Sequence, residues 1–332
     1  MKILVLAGGL SPERDVSLSS ASKIAKALTS KGNKVAVLDL YEGIEDVKDI
    51  YFTDNVCEIE DYIVPETAPD IAKLKKTEAY IGKNVLKCCE MADIVFLALH
   101  GDVGENGKLQ SVLDLYKIKY TGSGYDGCLL SMNKHLSKVL VSANHIKTAK
   151  WCLNHKDNSV GFPCVVKPLG AGSSIGISIV ENAEEYDVAI HEAKKYDNDI
   201  LIEEKICGRE FSVGILNDKA LPVIEIIPNN NEFYNYKNKY QQGLTNEICP
   251  ADIPKSLSDE LQKTAEKIHK LLHLKFYSRI DFIVDKKNDI YFLEANSLPG
   301  MTPTSLLPQE AFAVGITYED LCNQIAESVL LI

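Results

Sequence analysis

Three side chains near the C-terminus have the chemistry of a metal or phosphate site. Glu294 and Asn296 end the run Phe292-Leu-Glu-Ala-Asn, and Asp281 lies inside Arg279-Ile-Asp-Phe-Ile-Val. Residues two apart on a strand point to one face, so Glu294 and Asn296 share a face. A short turn at Asp285–Asp289 pairs the two strands and can bring Asp281 onto that face. Three hard oxygen ligands suit Mg²⁺ or Mn²⁺, with substrate phosphates completing the shell. Burying such a trio without a cation is costly. The competing reading is a structural salt bridge from Arg279 to one of the acids.

Lys167-Pro-Leu-Gly-Ala-Gly-Ser173-Ser174 is the best phosphate loop in the chain. A buried strand ends in Lys, and two glycines let backbone N–H groups converge on an anion. The alternative is a tight hairpin with a surface Lys. Glu203 and Glu204 end a strand and Glu210 follows. Such acids can accept from an adenine amine or ribose hydroxyls, or be solvated surface. Gly122-Ser-Gly-Tyr-Asp-Gly127 matches the dinucleotide pattern G-x-G-x-x-G, which would suit an NAD-binding oxidoreductase. It lacks the acid about 20 positions on, so a domain-joining turn is preferred. Gly104-Glu-Asn-Gly-Lys108 lacks the spacing of a P-loop.

These groups need elements to hold them. Lys2–Ala7, a helix over Val16–Lys31 stopped by Gly32, and Lys34–Leu40 read as the opening of a doubly wound sheet. Residues 43–92 read as a peripheral excursion with a helix over Thr77–Met91. Asp93–Leu99 is a buried strand, and a helix is expected over Asp126–Ala143. Strands follow at Pro163–Lys167, Ile175–Val180, Ile200–Glu203, Phe211–Leu216 and Leu221–Ile227, with a helix over Ala183–Tyr196. Pro228–Pro250 has no period and reads as a functional lid. A helix over Ser256–Leu272, paired strands and two terminal helices complete the chain.

The chain has 332 residues, which at roughly 100–200 per domain gives two or three domains. A net charge of −11 argues against a nucleic-acid partner. No run approaches the ~18 apolar residues of a membrane helix. The N-terminal apolar run is shorter than the ~7–15 residues of a signal sequence. Nine scattered cysteines, an odd number, predict reduced thiols in a cytoplasm. No His-Glu-x-x-His pattern supports a zinc hydrolase.

In their order along the chain these residues resemble an ATP-grasp enzyme, and more narrowly the D-alanine–D-alanine ligase family, over nearly the whole length. The motifs that carry the resemblance are Gly8-Gly-Leu-Ser-Pro-Glu13-Arg-Asp-Val-Ser17, Leu99-His100-Gly101 with Gly104-Glu-Asn-Gly107, and Tyr120-Thr-Gly-Ser-Gly124. Ser131-Met-Asn-Lys134, Phe233-Tyr-Asn-Tyr-Lys-Asn-Lys239-Tyr240 and Leu293-Glu-Ala-Asn-Ser-Leu-Pro-Gly300-Met-Thr302 complete the set.

The resemblance implies an α/β ATP-grasp chain. An N-terminal doubly wound, parallel-sheet substrate domain (1–124) would precede two ATP-grasp subdomains, 125–216 for ATP and 217–332 with lid 228–250. It implies that a D-alanine carboxylate attacks the γ-phosphate of ATP, and a second D-alanine amine attacks the acyl phosphate. Lys134, Lys167, Ser174 and Lys239 would meet phosphates. Glu203, Ile206, Phe233 and Leu293 would meet adenine, and Glu210 the ribose. Asp281, Glu294 and Asn296 would hold two Mg²⁺ or Mn²⁺ ions. Glu13, Ser173 and Tyr240 would form a hydrogen-bonded set at the first ammonium, with His100 nearby. Arg279 and the Gly300 N–H would form an oxyanion hole, and Ser305 with Leu306 would hold the second carboxylate. The family also implies a cytoplasmic homodimer with neither nucleic-acid nor membrane partners. Pro303-Thr304 departs from the Ser-His of many relatives. Lys239-Tyr240 favours D-alanine as acceptor over D-lactate, with D-serine left open.

Overall fold

The computed structural model describes residues 1–65, 69–153, 158–170, 172, 176–228 and 245–331. Strands β1 (Lys2–Ala7), β2 (Lys34–Asp39) and β3 (Ile94–Leu97) form a parallel sheet in the order β2-β1-β3. The helix Arg14–Ser30 buries Ala21, Ile24, Ala25 and Leu28 against it, the spacing of one helical face. Gly32 at φ 82° ends that helix, with its N–H on the Thr29 carbonyl. The loop between β1 and this helix is tied down from several sides. Arg14 pairs with Asp39 at 2.7 Å and donates to the Gly9 carbonyl. Ser17 accepts from the Gly8 N–H and donates to the Ala98 carbonyl. Most of the first glycine-rich motif is therefore scaffolding for one carboxylate, that of Glu13.

A second sheet joins β4 (Trp151–Cys152), β5 (Cys164–Pro168), β6 (Ser178–Val180) and β7 (Ile200–Glu204) in the antiparallel order β4-β7-β5-β6. Cys164, Val166, Ile200 and Ile202 face the helix Ala183–Ala193. That helix starts where the Asn182 side chain accepts from the Glu184 and Glu185 N–H groups.

The third sheet contains β8 (Gly208–Leu216), β9 (Lys219–Ala220), β10 (Ile224–Pro228), β11 (Thr245–Ile248), β12 (Tyr277–Asp285) and β13 (Ile290–Asn296). Its main path is β11-β10-β8-β12-β13. Phe211, Val213, Ile215, Ile280, Phe282 and Val284 pack against Leu257, Leu261, Ala265 and Ile268 of the helix Lys255–Leu271. The opposite face of the sheet is left for chemistry. A parallel N-terminal sheet followed by two antiparallel ones agrees with the expected fold class.

Four expectations change. The helix expected over 126–143 is two helices, Tyr125–Met132 and Lys134–Ala143. Asn133 breaks it, with an extended ψ and a side chain that caps Leu136 N–H. The helix expected over 77–91 is only Val85–Glu90, because the backbone before it bonds to another segment: the Gly82 N–H donates to the Leu40 carbonyl and the Lys83 carbonyl accepts from the Ile44 N–H. The end of the expected lid, 245–248, is a strand paired with β10. Finally β8, on the N-terminal side of the expected 216/217 boundary, is a central strand of the C-terminal sheet.

Candidate active site

The register of β8, β12 and β13 assembles the polar cluster in rows. Gly214, Arg279 and Asn296 are neighbours across the sheet, and so are Ser212, Asp281 and Glu294. Glu210 and Ile283 begin the next row, with Tyr291 beyond. A bulge makes this possible. Asp281 pairs with Glu294 but Phe282 pairs with Phe292, so Leu293 is an extra residue on β13. In unbroken alternation Glu294 would share the core face with Ile290 and Phe292. The bulge reverses the phase, buries Ala295 instead, and turns Glu294 and Asn296 outward.

Asp281 is the hub of the cluster. Its Oδ1 accepts from Ser212 Oγ at 2.7 Å and Arg279 Nε at 2.9 Å. Its Oδ2 accepts from Arg279 Nη2 at 2.8 Å and Asn296 Nδ2 at 3.0 Å. The salt bridge weighed as the competing reading is thus present. It does not account for Glu294, a second carboxylate directly opposite Asp281, where like charges repel. Among the described residues no three of His, Cys, Asp or Glu form a metal-ligand cluster. Glu294 and the Asn296 amide oxygen nevertheless line a cavity and fit Mg²⁺, which takes one or two carboxylates and leaves other positions to water and phosphate, whereas Asp281 would join them only by giving up one of its four hydrogen bonds.

Two cavities meet at Glu294. The first, about 470 Å³, is lined by Glu13, His100, Glu105, Lys134, Arg279, Asn296, Gly300, Ser305 and Leu306. It collects the residues expected at the amino-acid end, and Lys134 with them. Burial pushes His100 down despite the nearby Glu13 carboxylate, which favours neutral imidazole. Ser305 Oγ accepts from the Thr302 N–H at 3.1 Å, fixing the turn before the helix Leu306–Phe312. Val64 also lines this cavity, and Tyr62 donates to Asp15, so the excursion 43–92 reaches the site rather than staying peripheral.

Glu105, to which sequence reasoning gave no role, accepts from the Gly101 N–H at 2.5 Å. Burial and the Glu13 charge push its carboxyl up to about 8. From the ordinary carboxylate range up to about pH 8 the folded protein keeps a proton that the unfolded chain releases. Raising the pH through that window therefore costs stability. The melting temperature of Glu105→Gln is expected to fall less than wild type between pH 6 and 9. Parallel losses in thermal melts would show that Glu105 is ionised throughout.

The second cavity, about 480 Å³, lies between the second and third sheets. Lys138, Val165, Lys167, Ile179, Glu203 and Ile206 line one side, and Glu210, Ile226, Ile283, Leu293 and Glu294 the other. At its base Glu203 is held by Lys167 at 2.5 Å and Lys138 at 2.8 Å, all three side chains at most 4% exposed. Burial would raise the Glu203 carboxyl, but the two ammonium groups outweigh it and hold it at about 2. Each carboxylate oxygen of Glu203 meets one lysine, and the residue lines the cavity where adenine is expected. Lys138 also donates to Thr148 Oγ1 and the Ala149 carbonyl. Sequence reasoning missed it, although it lies one helical turn after Lys134 and shares its face.

Ser173, Ser174, Phe233, Lys239 and Tyr240 lie outside the described residues. The other expected site residues are brought to these two cavities, except Asp281, which lies beneath Arg279 and Asn296. In the Gly122–Gly127 motif Gly127 packs on the His273 carbonyl and Gly122 on Leu298, so these glycines serve close packing, and neither cavity is lined by the motif.

Comparison with known proteins agrees. The D-ala D-ala ligase N-terminus family matches residues 2–123, and the D-ala D-ala ligase C-terminus family matches residues 132–327. The chain is 44% identical to a D-alanine–D-alanine ligase of Pediococcus pentosaceus, covering 98% of this chain and 96% of that one. It is 41% identical to one of Lacticaseibacillus casei, covering 99% and 96%. A crystal structure of the Bacillus anthracis D-alanine–D-alanine ligase complexed with ATP superposes with a TM-score of 0.76 at 26% identity. That match covers 100% of this chain and 97% of the other.

Proposed function

The chain belongs to the D-alanine–D-alanine ligase family, and from that we infer that it joins two D-alanines, with conversion of ATP to ADP and phosphate, for peptidoglycan precursors. The observation that carries this is the meeting of two cavities at Glu294, one ending in buried lysines and the other lined by Glu13, His100 and Arg279. ATP fits the lysine-floored cavity between the second and third sheets, and D-alanine the cavity lined by Glu13. An oxygen of the first D-alanine carboxylate attacks the γ-phosphorus, and ADP leaves. The amine of the second D-alanine then attacks the acyl carbon, loses a proton, and expels phosphate.

Lys167 and Lys134 neutralise phosphate charge, as phosphoryl transfer requires. Ile206 and Leu293 flank the base, with Glu210 at the ribose. Glu203 sets Lys167 and Lys138 in place. Asp281, Glu294 and Asn296 would hold two divalent ions, which supply charge neutralisation between the phosphates. Glu13, with His100 beside it, takes the first ammonium. Arg279, held by its Nε and Nη2 bonds to Asp281, lies on the amino-acid cavity and stabilises the tetrahedral oxyanion beside the Gly300 N–H. Ser305 and Leu306 take the second carboxylate. Ser173, Ser174, Phe233, Lys239 and Tyr240 keep the roles the family implies, with the segment around 228–250 excluding water from the acyl phosphate. Three units, a homodimer and cytoplasmic residence go with this reading. Among the described residues no helix is long and apolar enough to cross a membrane.

Acceptor choice is the finer question, since Pro303 and Thr304 line the first cavity. With D-alanine as donor and equal D-alanine, D-serine and D-lactate as acceptors, D-alanyl-D-alanine is expected to dominate the products by mass spectrometry. A dominant ester or D-Ala-D-Ser product would reassign the acceptor.

A further inference from the structure

Glu310 is fully buried on the chemistry-bearing face of the third sheet, in the helix Leu306–Phe312. Its Oε1 accepts from the Gly214 N–H at 2.9 Å. Its Oε2 is buried with no hydrogen-bond partner among the described residues. Gly214 is the β8 neighbour of Arg279. The carboxyl approaches so closely that a Cβ on residue 214 would lie 2.4 Å from Oε2 and 2.5 Å from a Leu307 methyl, so any larger residue there must displace one of them. The pairing of β10 with β8 covers only Glu210–Ser212, so Glu310 serves the strand beyond that ladder's end. An acid that satisfies one backbone N–H and leaves its other oxygen dry is an expensive way to fill a core. Burial pushes this carboxyl well above the usual range, which favours its neutral form.

The consequence is a fixed distance. The helix that contains Glu310 begins at Ser305-Leu306, and both residues line the amino-acid cavity. Arg279 lines the same cavity from the strand next to Gly214. We propose that Glu310 is a positioning residue for the second D-alanine, tying the Ser305–Leu306 turn to the strand beside Arg279 so that acceptor carboxylate and oxyanion donor keep their spacing. This rests on the ligase reading given above. It predicts an effect on the second half-reaction only, because Glu13, His100 and the lysines hang from other elements.

The two halves can be read separately. With ATP, D-alanine and hydroxylamine, the acyl phosphate is captured as its hydroxamate with release of phosphate, and no second D-alanine is needed. Glu310→Leu is expected to leave hydroxamate formation within about twofold of wild type while raising KM for the second D-alanine about tenfold. Glu310→Gln keeps an oxygen for the Gly214 N–H and is expected to restore that KM to within about threefold. Equal losses in both halves, an unchanged second KM, or a Gln variant no better than Leu would overturn the assignment. If Glu310→Leu does not fold, Gly214→Ala displaces the same carboxyl and is read for the same split. A wild-type protein that forms neither hydroxamate nor dipeptide would overturn the ligase reading itself. Normal hydroxamate formation with an unsplit variant would overturn only the role of Glu310.

Discussion

Asn296→Ala is expected to lower kcat on the order of 10²–10³-fold while the protein still melts within a few degrees of wild type. The fold loses little, because Asn296 contributes one 3.0 Å hydrogen bond to Asp281, which keeps Arg279 and Ser212. One such bond is worth about 0.5–1.5 kcal/mol. On the proposed reading the reaction loses a metal ligand on the wall of the amino-acid cavity, two residues from Glu294. Activity of the variant should therefore recover in part at raised Mg²⁺ concentration. A variant that unfolds would make Asn296 structural. Full activity at ordinary Mg²⁺ would remove it from the metal set.

The buried trio Lys138, Glu203 and Lys167 gives a second large effect, with opposite signs for folding and function. Two lysines face one carboxylate, a surplus of one positive charge at the base of the second cavity. Lys167→Met removes the surplus and leaves the Lys138–Glu203 pair, so the melting temperature should change little. It also removes the charge proposed to meet phosphate, so kcat/KM for ATP should fall about 10²-fold. Glu203→Gln leaves two ammonium groups together without an anion, and breaking a buried pair costs about 3–5 kcal/mol. The contribution of Glu203 to stability is present above the ordinary carboxylate range and is lost as pH falls toward about 2. Thermal melts of both variants at neutral pH decide the matter. A Lys167→Met protein less stable than Glu203→Gln would mean that the trio exists for the fold and not for a phosphate.

The chemistry was more legible than the geometry that serves it. Asp281, Glu294 and Asn296 could be placed together from strand periodicity and a short turn. Yet strict alternation puts Glu294 on the core face, and only the bulge at Leu293 turns it outward. No local signal in Phe292-Leu-Glu-Ala-Asn marks that extra residue. The break at Asn133 was hidden because Asn is tolerated within a helix, though its capping chemistry was there to be read. Lys138 and Glu310 escaped for a common reason. Charged residues on amphipathic helices read as solvated, and only the packed structure shows them buried. Glu105 lay inside a recognisable motif, but its raised carboxyl depends on burial and on the charge of Glu13, some 90 residues away. The first glycine-rich motif carried the opposite lesson, since most of its polar residues hold the loop and only Glu13 lines the cavity.

The most direct test of the central claim is phosphate release by the purified protein with ATP and Mg²⁺, measured with and without D-alanine. Release is expected to depend on D-alanine and to match D-alanyl-D-alanine formed, one phosphate per dipeptide. Release no greater than with ATP alone, or release without dipeptide, would contradict it.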